Sequence, residues 1–147
     1  MIKKLIVVAF LLSIYPGHAG DETVETTWKQ DDLVCLASTI HVEARGESSL
    51  GKRAVGYVVL NRVKSGKFPN SICGVVKQKT GKFCQFSWVC KPQKTPKISK
   101  AITDIAIKLL ENGVSDPTHG ALFFHNDSVD SFTRKRTTVI GNHIFYR

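Results

Sequence analysis

Glu43 is the side chain in this sequence best placed for acid chemistry. It lies in His41-Val42-Glu43-Ala44-Arg45-Gly46-Glu47, at the end of an apolar helical pattern. At about 100° per residue, Leu36, Ala37, Ile40 and Ala44 share one face with Leu33. Glu43 falls beside Leu36, at the edge of that face. A carboxyl group half-buried against aliphatic side chains holds its proton to higher pH, because desolvation disfavours the anion. A protonated carboxyl near neutral pH can hand a proton to a leaving-group oxygen, which is what breaking a glycosidic bond requires. The plainer alternative is a solvated helix-end carboxylate paired to Arg45 or Lys52.

Four further groups have site-like chemistry. Glu47 lies four residues beyond Glu43, and Gly46 between them argues against one continuous helix. Glu47 is therefore expected at the start of a second helix, where an acid is favourable, as a supporting residue holding Arg45 or an active-site loop. Gln85-Phe86-Ser87-Trp88 combines aromatic faces with polar edges, the pairing that sugar rings need. Its alternative is that Phe86 and Trp88 cover the core. His125 and Asn126, after Phe123-Phe124, are candidates to bond hydroxyl or acetamido groups. His143 and Tyr146 are polar-tipped residues of an expected hairpin that could line a cleft. Arg134-Lys135-Arg136 reads as a solvated charge run.

These groups need elements to position them. The pattern predicts a first helix over Leu33–Arg45, capped by Asp31 or Asp32 and ended by Gly46. Ser48 or Ser49 caps a second, reaching about Val63 and apolar on most sides, so it should be the buried spine. Ser71–Gln78 is a short third helix, and Lys79–Lys97 a long irregular stretch. Ile98–Glu111 carries the stripe of a fourth, stopped by Asn112-Gly113. Ala121–His125 reads as a strand. Thr137–Ile140 and His143–Tyr146 flank Gly141-Asn142 as a hairpin. The expected class is α+β: about four helices with a small β-hairpin region.

Composition sets the setting. The 147 residues suit one domain. Residues 1–20 read as a signal peptide: Lys3 and Lys4, an apolar run Leu5–Tyr15, Pro16, then small residues before Gly20. Residues 21–30 read as a flexible lead-in, and 31–147 as the folded domain. No other apolar run of that kind follows, so no stable membrane span is expected after cleavage. The chain has 21 basic and 12 acidic residues; without Lys3 and Lys4 the net charge of +9 falls by two, to +7. An exported protein so basic is drawn to anionic wall polymers, with nucleic acid not expected as partner. Cys35, Cys73, Cys84 and Cys90 read as disulfides outside the cytoplasm. Of three pairings, Cys84–Cys90 closing a short loop and Cys35–Cys73 tying the first helix to the third is favoured. With no CxxC pair, no metal is expected, nor any cofactor. No Walker A loop, dinucleotide fingerprint, HExxH or GxSxG occurs, which leaves zinc or serine proteolysis without support. A monomer is the default.

Several blocks occur in a fixed order: Cys35-Leu36-Ala37, Glu43-Ala44-Arg45-Gly46-Glu47, Val58-Val59-Leu60-Asn61-Arg62-Val63, Phe68-Pro69-Asn70-Ser71-Ile72-Cys73-Gly74-Val75-Val76, Cys84-Gln85-Phe86-Ser87-Trp88-Val89-Cys90 and Ile140-Gly141-Asn142-His143-Ile144-Phe145-Tyr146. Together they resemble the cell wall hydrolase family typified by the spore cortex-lytic enzyme catalytic domain, over about residues 31–147. The resemblance implies a lysozyme-like fold related to lytic transglycosylases. It implies cleavage between N-acetylmuramic acid and N-acetylglucosamine in peptidoglycan, with Glu43 as the catalytic glutamate. Similar proteins often have a Pro and a Trp where this chain has Asp127 to Phe132, and a Tyr at Phe124. The expected reaction is a lytic transglycosylation. Its rivals are a hydrolytic muramidase using Glu47, Asp127 or Asp130 as a second carboxylate, and a non-catalytic cationic wall-binding module. Wall remodelling or phage-type lysis fits such a domain; a role in germination does not follow.

Overall fold

The structure, a computed structural model, describes residues 27–91, 97–126 and 133–147. The expected signal peptide, and most of the expected lead-in, lie outside the described residues. Helix α1 spans Gln30–Glu43, α2 Ser49–Lys64, α3 Ile72–Val76 and α4 Lys100–Leu110. Strands β1 (Lys79–Thr80) and β2 (Phe83–Cys84) form a small hairpin, followed by a 3-10 turn at Ser87–Cys90. Strands β3 (Phe123–Asn126), β4 (Arg136–Ile140) and β5 (His143–Tyr146) form an antiparallel sheet ordered β3-β5-β4. The α+β class is as expected.

The spine is α2. Ser48 starts it, its Oγ accepting the Gly51 N–H at 3.2 Å, a standard N-cap bond. Ala54 to Leu60 are all buried. One side of α2 meets α1 and α4, where Leu36, Ile40, Val59, Ala106 and Leu109 share the main core. A Cβ on Gly56 would stand 2.5 Å from Leu109 Cδ1, so any larger residue would force the Leu109 side chain of α4 to move. The other side meets the sheet through Ala54, Val58, Ala121 and Phe145.

Several boundaries differ from expectation. Helix α1 begins at Gln30 after Lys29, and neither Asp31 nor Asp32 caps it. Asp32 instead accepts the Cys73 N–H at 3.3 Å, so a tertiary partner takes the group that local rules assign to the cap. The helix ends at Glu43, because Ala44 leaves helical geometry (φ −123°, ψ 29°). Helix α3 is shorter than expected, with Ser71 as its cap. Within Lys79–Lys97, the β1–β2 hairpin and the 3-10 turn replace the irregular stretch. Two-residue strands are too short to show alternation. Strand β3 starts two residues late because the Ala121 and Leu122 carbonyls accept bonds from Asn61 and Arg62 of α2.

Both favoured disulfides are present. Cys35–Cys73 ties α1 to α3, and Cys84–Cys90 closes the loop around the 3-10 turn. Among the described residues, no helix is long and apolar enough to cross a membrane.

Candidate active site

Glu43, the last residue of α1, opens into a cleft of about 440 Å³. It is lined by Val42 and Glu43, by Arg62 of α2, by the Cys84–Ser87 segment, by Phe124, His125 and Asn126 of β3, and by His143 of β5. No hydrogen bond or ion pair of the described residues takes up the Glu43 carboxyl. The pairing with Arg45 or Lys52 is absent; Lys52 Nζ donates to the Glu47 carbonyl instead. Burial raises the Glu43 pKa above the ordinary carboxylate value, and the Arg62 charge opposes that rise. A half-buried, unpartnered acid that keeps its proton is equipped to donate it.

The disulfide-bridged segment presents Gln85 and Ser87, both exposed, to the cleft. Phe86 is 4% exposed, and its ring lies 5.3 Å from the Arg62 guanidinium carbon. Trp88 does not line the cleft. It is half-buried against the main core, the arrangement of the core-covering alternative. The reason lies in the 3-10 turn: consecutive residues point about 120° apart, so Ser87 and Trp88 cannot share a face.

His125 and Asn126 line the cleft. The Nδ1 of His125 is 2.6 Å from the Asn126 carbonyl, and its ring stacks on Tyr146 at 5.0 Å between centroids. Tyr146 itself is buried and does not line the cleft; it backs His125. His143 lines the cleft with its ring edge against Phe124, 5.1 Å between centroids. Burial lowers the His143 pKa, and the Glu47 charge opposes the fall.

Glu47 does not line the cleft either. Its Oε1 accepts the Asn142 N–H at 3.3 Å and stands 3.8 Å from His143 Nδ1. It precedes α2, as expected, and holds the β4–β5 turn rather than Arg45. Asp127 and Asp130 lie outside the described residues. Among the described residues lining the cleft, Glu43 is the one carboxylate.

Sequence reasoning missed Arg62. It is 3% exposed, its Nε donates to the Leu122 carbonyl at 2.7 Å, and its guanidinium lies 5.0 to 5.6 Å from the Phe68, Phe86 and Phe123 rings. Burial lowers its pKa to about 10, with Glu43 opposing, so it stays charged at neutral pH. The signal was available: Arg62 shares a helix face with the buried Val58 and Val59.

Fold and cleft together define an α+β domain in which one carboxyl group at a helix end lines a largely polar cleft. The Cell Wall Hydrolase profile matches residues 46–146, and the chain belongs to that family. The match begins just after Glu43. The spore cortex-lytic enzyme of Bacillus cereus is 36% identical over 140 residues, covering 88% of this chain and 49% of the relative. That of Bacillus subtilis strain 168 is 32% identical over 122 residues, covering 80% of this chain and 38% of the relative. The chain thus spans about half the length, or less, of these curated relatives. The solved catalytic domain of the germination-specific lytic transglycosylase SleB from Bacillus anthracis superposes with a TM-score of 0.70 at 32% identity, covering 84% of this chain and 100% of that domain. The Bacillus cereus SleB catalytic domain gives the same TM-score at 30% identity.

Proposed function

We propose that this protein cleaves the glycan strands of peptidoglycan between N-acetylmuramic acid and N-acetylglucosamine as a lytic transglycosylase. The observation that carries the reading is the half-buried Glu43 carboxyl, which takes no hydrogen bond or ion pair from the described residues and lines a largely polar cleft. Kinship with a domain titled as a lytic transglycosylase agrees with it.

Glu43 acts twice. As an acid it gives its proton to the glycosidic oxygen, and the bond from muramic acid C1 to that oxygen breaks. The ring passes through an oxocarbenium-like state. The Glu43 carboxylate then takes the proton of the same sugar's C6 hydroxyl. That oxygen bonds to C1, giving a 1,6-anhydro end and returning Glu43 to its protonated form. The route needs one carboxylate, whereas hydrolysis by the usual paths needs two. Gln85, Ser87, His125, Asn126 and His143 are the proposed sugar contacts, a reading supported by their lining the cleft.

The protein works outside the cytoplasm, in the periplasm or beyond the cell. Two disulfides support this, as does the signal-like residues 1–20 segment. Its net basic charge favours anionic wall polymers.

The test is mass spectrometry of the soluble products from purified peptidoglycan, comparing the protein with Glu43→Gln. Anhydromuropeptides from the parent alone are the expected result. Reducing ends would mean hydrolysis, and Asp127 and Asp130 would then be replaced in turn to find the second carboxylate. Wall binding without any product, from either protein, would leave a binding module.

A further inference from the structure

The Arg62 guanidinium is a buried charge, and no carboxylate of the described residues lies within ion-pair distance of it. Its Nε is spent on the Leu122 carbonyl, and its faces are covered by aromatic rings. Its Nη1 is buried and has no acceptor. A buried cation left so is costly, because it has lost water and gained only one hydrogen bond and ring contacts in return. The same side chain lines the cleft beside Glu43. A charged side chain with an unsatisfied donor thus borders the same cleft as the Glu43 carboxyl.

We propose that Arg62 is the counter-charge for Glu43, its unpaired Nη1 receiving the carboxylate formed when Glu43 gives up its proton. This rests on the reading of Glu43 as the acid. Before proton transfer Glu43 is neutral and the two groups stand apart. As the proton leaves for the glycosidic oxygen, negative charge grows on Glu43 next to a cation already oriented by three rings and a carbonyl. Little reorganisation is needed at that moment, the condition under which a fixed charge favours a transition state most. When the C6 hydroxyl returns a proton to Glu43, the pair separates. Arg62 is thus a positioning residue acting through Glu43.

The other ionisable groups of the cleft are His125 on β3 and His143 on β5; the Cys84–Ser87 side contributes none. On the segment of Glu43 itself, His41 is half-buried and Arg45 is exposed. Arg62 is the buried cation among the described residues lining the cleft, so it should dominate the Glu43 titration.

The experiment follows glycan-strand cleavage against pH for the parent, Arg62→Gln and Arg62→Lys. Cleavage by a protonated Glu43 falls as pH rises through its pKa. Removing the cation lifts that pKa, so Arg62→Gln should move the alkaline limb to higher pH. It should also lower kcat by about a hundredfold, with KM little changed. Arg62→Lys keeps the charge and should leave the limb where the parent has it. A folded Arg62→Gln protein with an unmoved limb overturns the proposal. Because Arg62→Gln risks misfolding, the second measurement uses the parent and Glu43→Gln. The Arg62 guanidinium NMR signals should titrate with Glu43 in the parent and lose that step in Glu43→Gln. A step that survives Glu43→Gln, or none in the parent, also overturns it. If the parent cuts no glycan, the functional reading fails, while the NMR titration still decides the pairing.

Discussion

The Glu47 carboxylate stands under His143, Oε1 to Nδ1 at 3.8 Å, and joins the turn before α2 to the β4–β5 hairpin. The same oxygen accepts the Asn142 N–H. Two glycines make room for it: a Cβ on Gly51 would lie 3.0 Å from Glu47 Oε2, and one on Gly141 1.8 Å from it. Glu47 is therefore a strut that sets the cleft position of His143. Glu47→Gln keeps the shape but removes the charge that supports the protonated imidazole. The His143 titration, followed by NMR, should move to still lower pH.

Gly141 carries the hairpin turn at a φ of 57°, a conformation that glycine adopts without strain. Gly141→Ala adds that backbone strain to the collision with Glu47. Its expected cost is about 1–3 kcal/mol in denaturant unfolding, together with reduced glycan cleavage. A variant with parental stability and activity would show that the strut can shift freely.

Glu43→Gln should abolish cleavage and also raise the melting temperature at pH 7. The folded-state pKa of Glu43 lies above its unfolded value. The folded form therefore loses stability as pH rises from the unfolded pKa to the folded one. Gln never ionises and escapes that loss. Calorimetry across pH 4 to about 8 should show the two proteins alike in acid and the variant more stable at neutral pH.

Asp116 makes the opposite case. Burial pushes its pKa up, but bonds from the Thr118 hydroxyl, Asn61 and the Thr118 and Gly120 N–H groups outweigh this and hold it below the ordinary value. Its stabilisation is complete above the unfolded pKa and is lost as pH falls through the folded one. Asp116→Asn should cost about 1 kcal/mol at neutral pH, a modest figure because the carboxylate is partly solvated. The deficit should shrink in acid.

The two disulfides should separate by function. Loop entropy assigns about 4 kcal/mol to the Cys35–Cys73 bridge, with its separation of 38 residues, and about 2 kcal/mol to Cys84–Cys90, with a separation of 6. Replacing the first pair by Ala should lower the melting point more. Replacing the second should reduce cleavage out of proportion to stability, because it frees Gln85 and Ser87 on the cleft wall.

Periodicity exposed the helices because burial on one side leaves a 3.6-residue trace. The buried spine α2 and the hairpin around Gly141-Asn142 were legible for the same local reasons. So was Glu43, a carboxyl at the margin of an apolar stripe. The start of α1 was not, because Asp32 was claimed by Cys73 from a distant segment. The β1–β2 hairpin was too short to leave any period.

The sequence by itself determined the α+β class, the apolar setting of Glu43 and the cysteines available for two disulfides, since each follows from spacing or residue type. Only the tertiary structure decided which polar groups meet. It turned Trp88 to the core and put Tyr146 behind His125. It set Glu47 under His143 and brought Arg62 to the cleft beside Glu43. Such pairings depend on how elements far apart in the chain pack, and side-chain direction across a packed interface is written in no single segment.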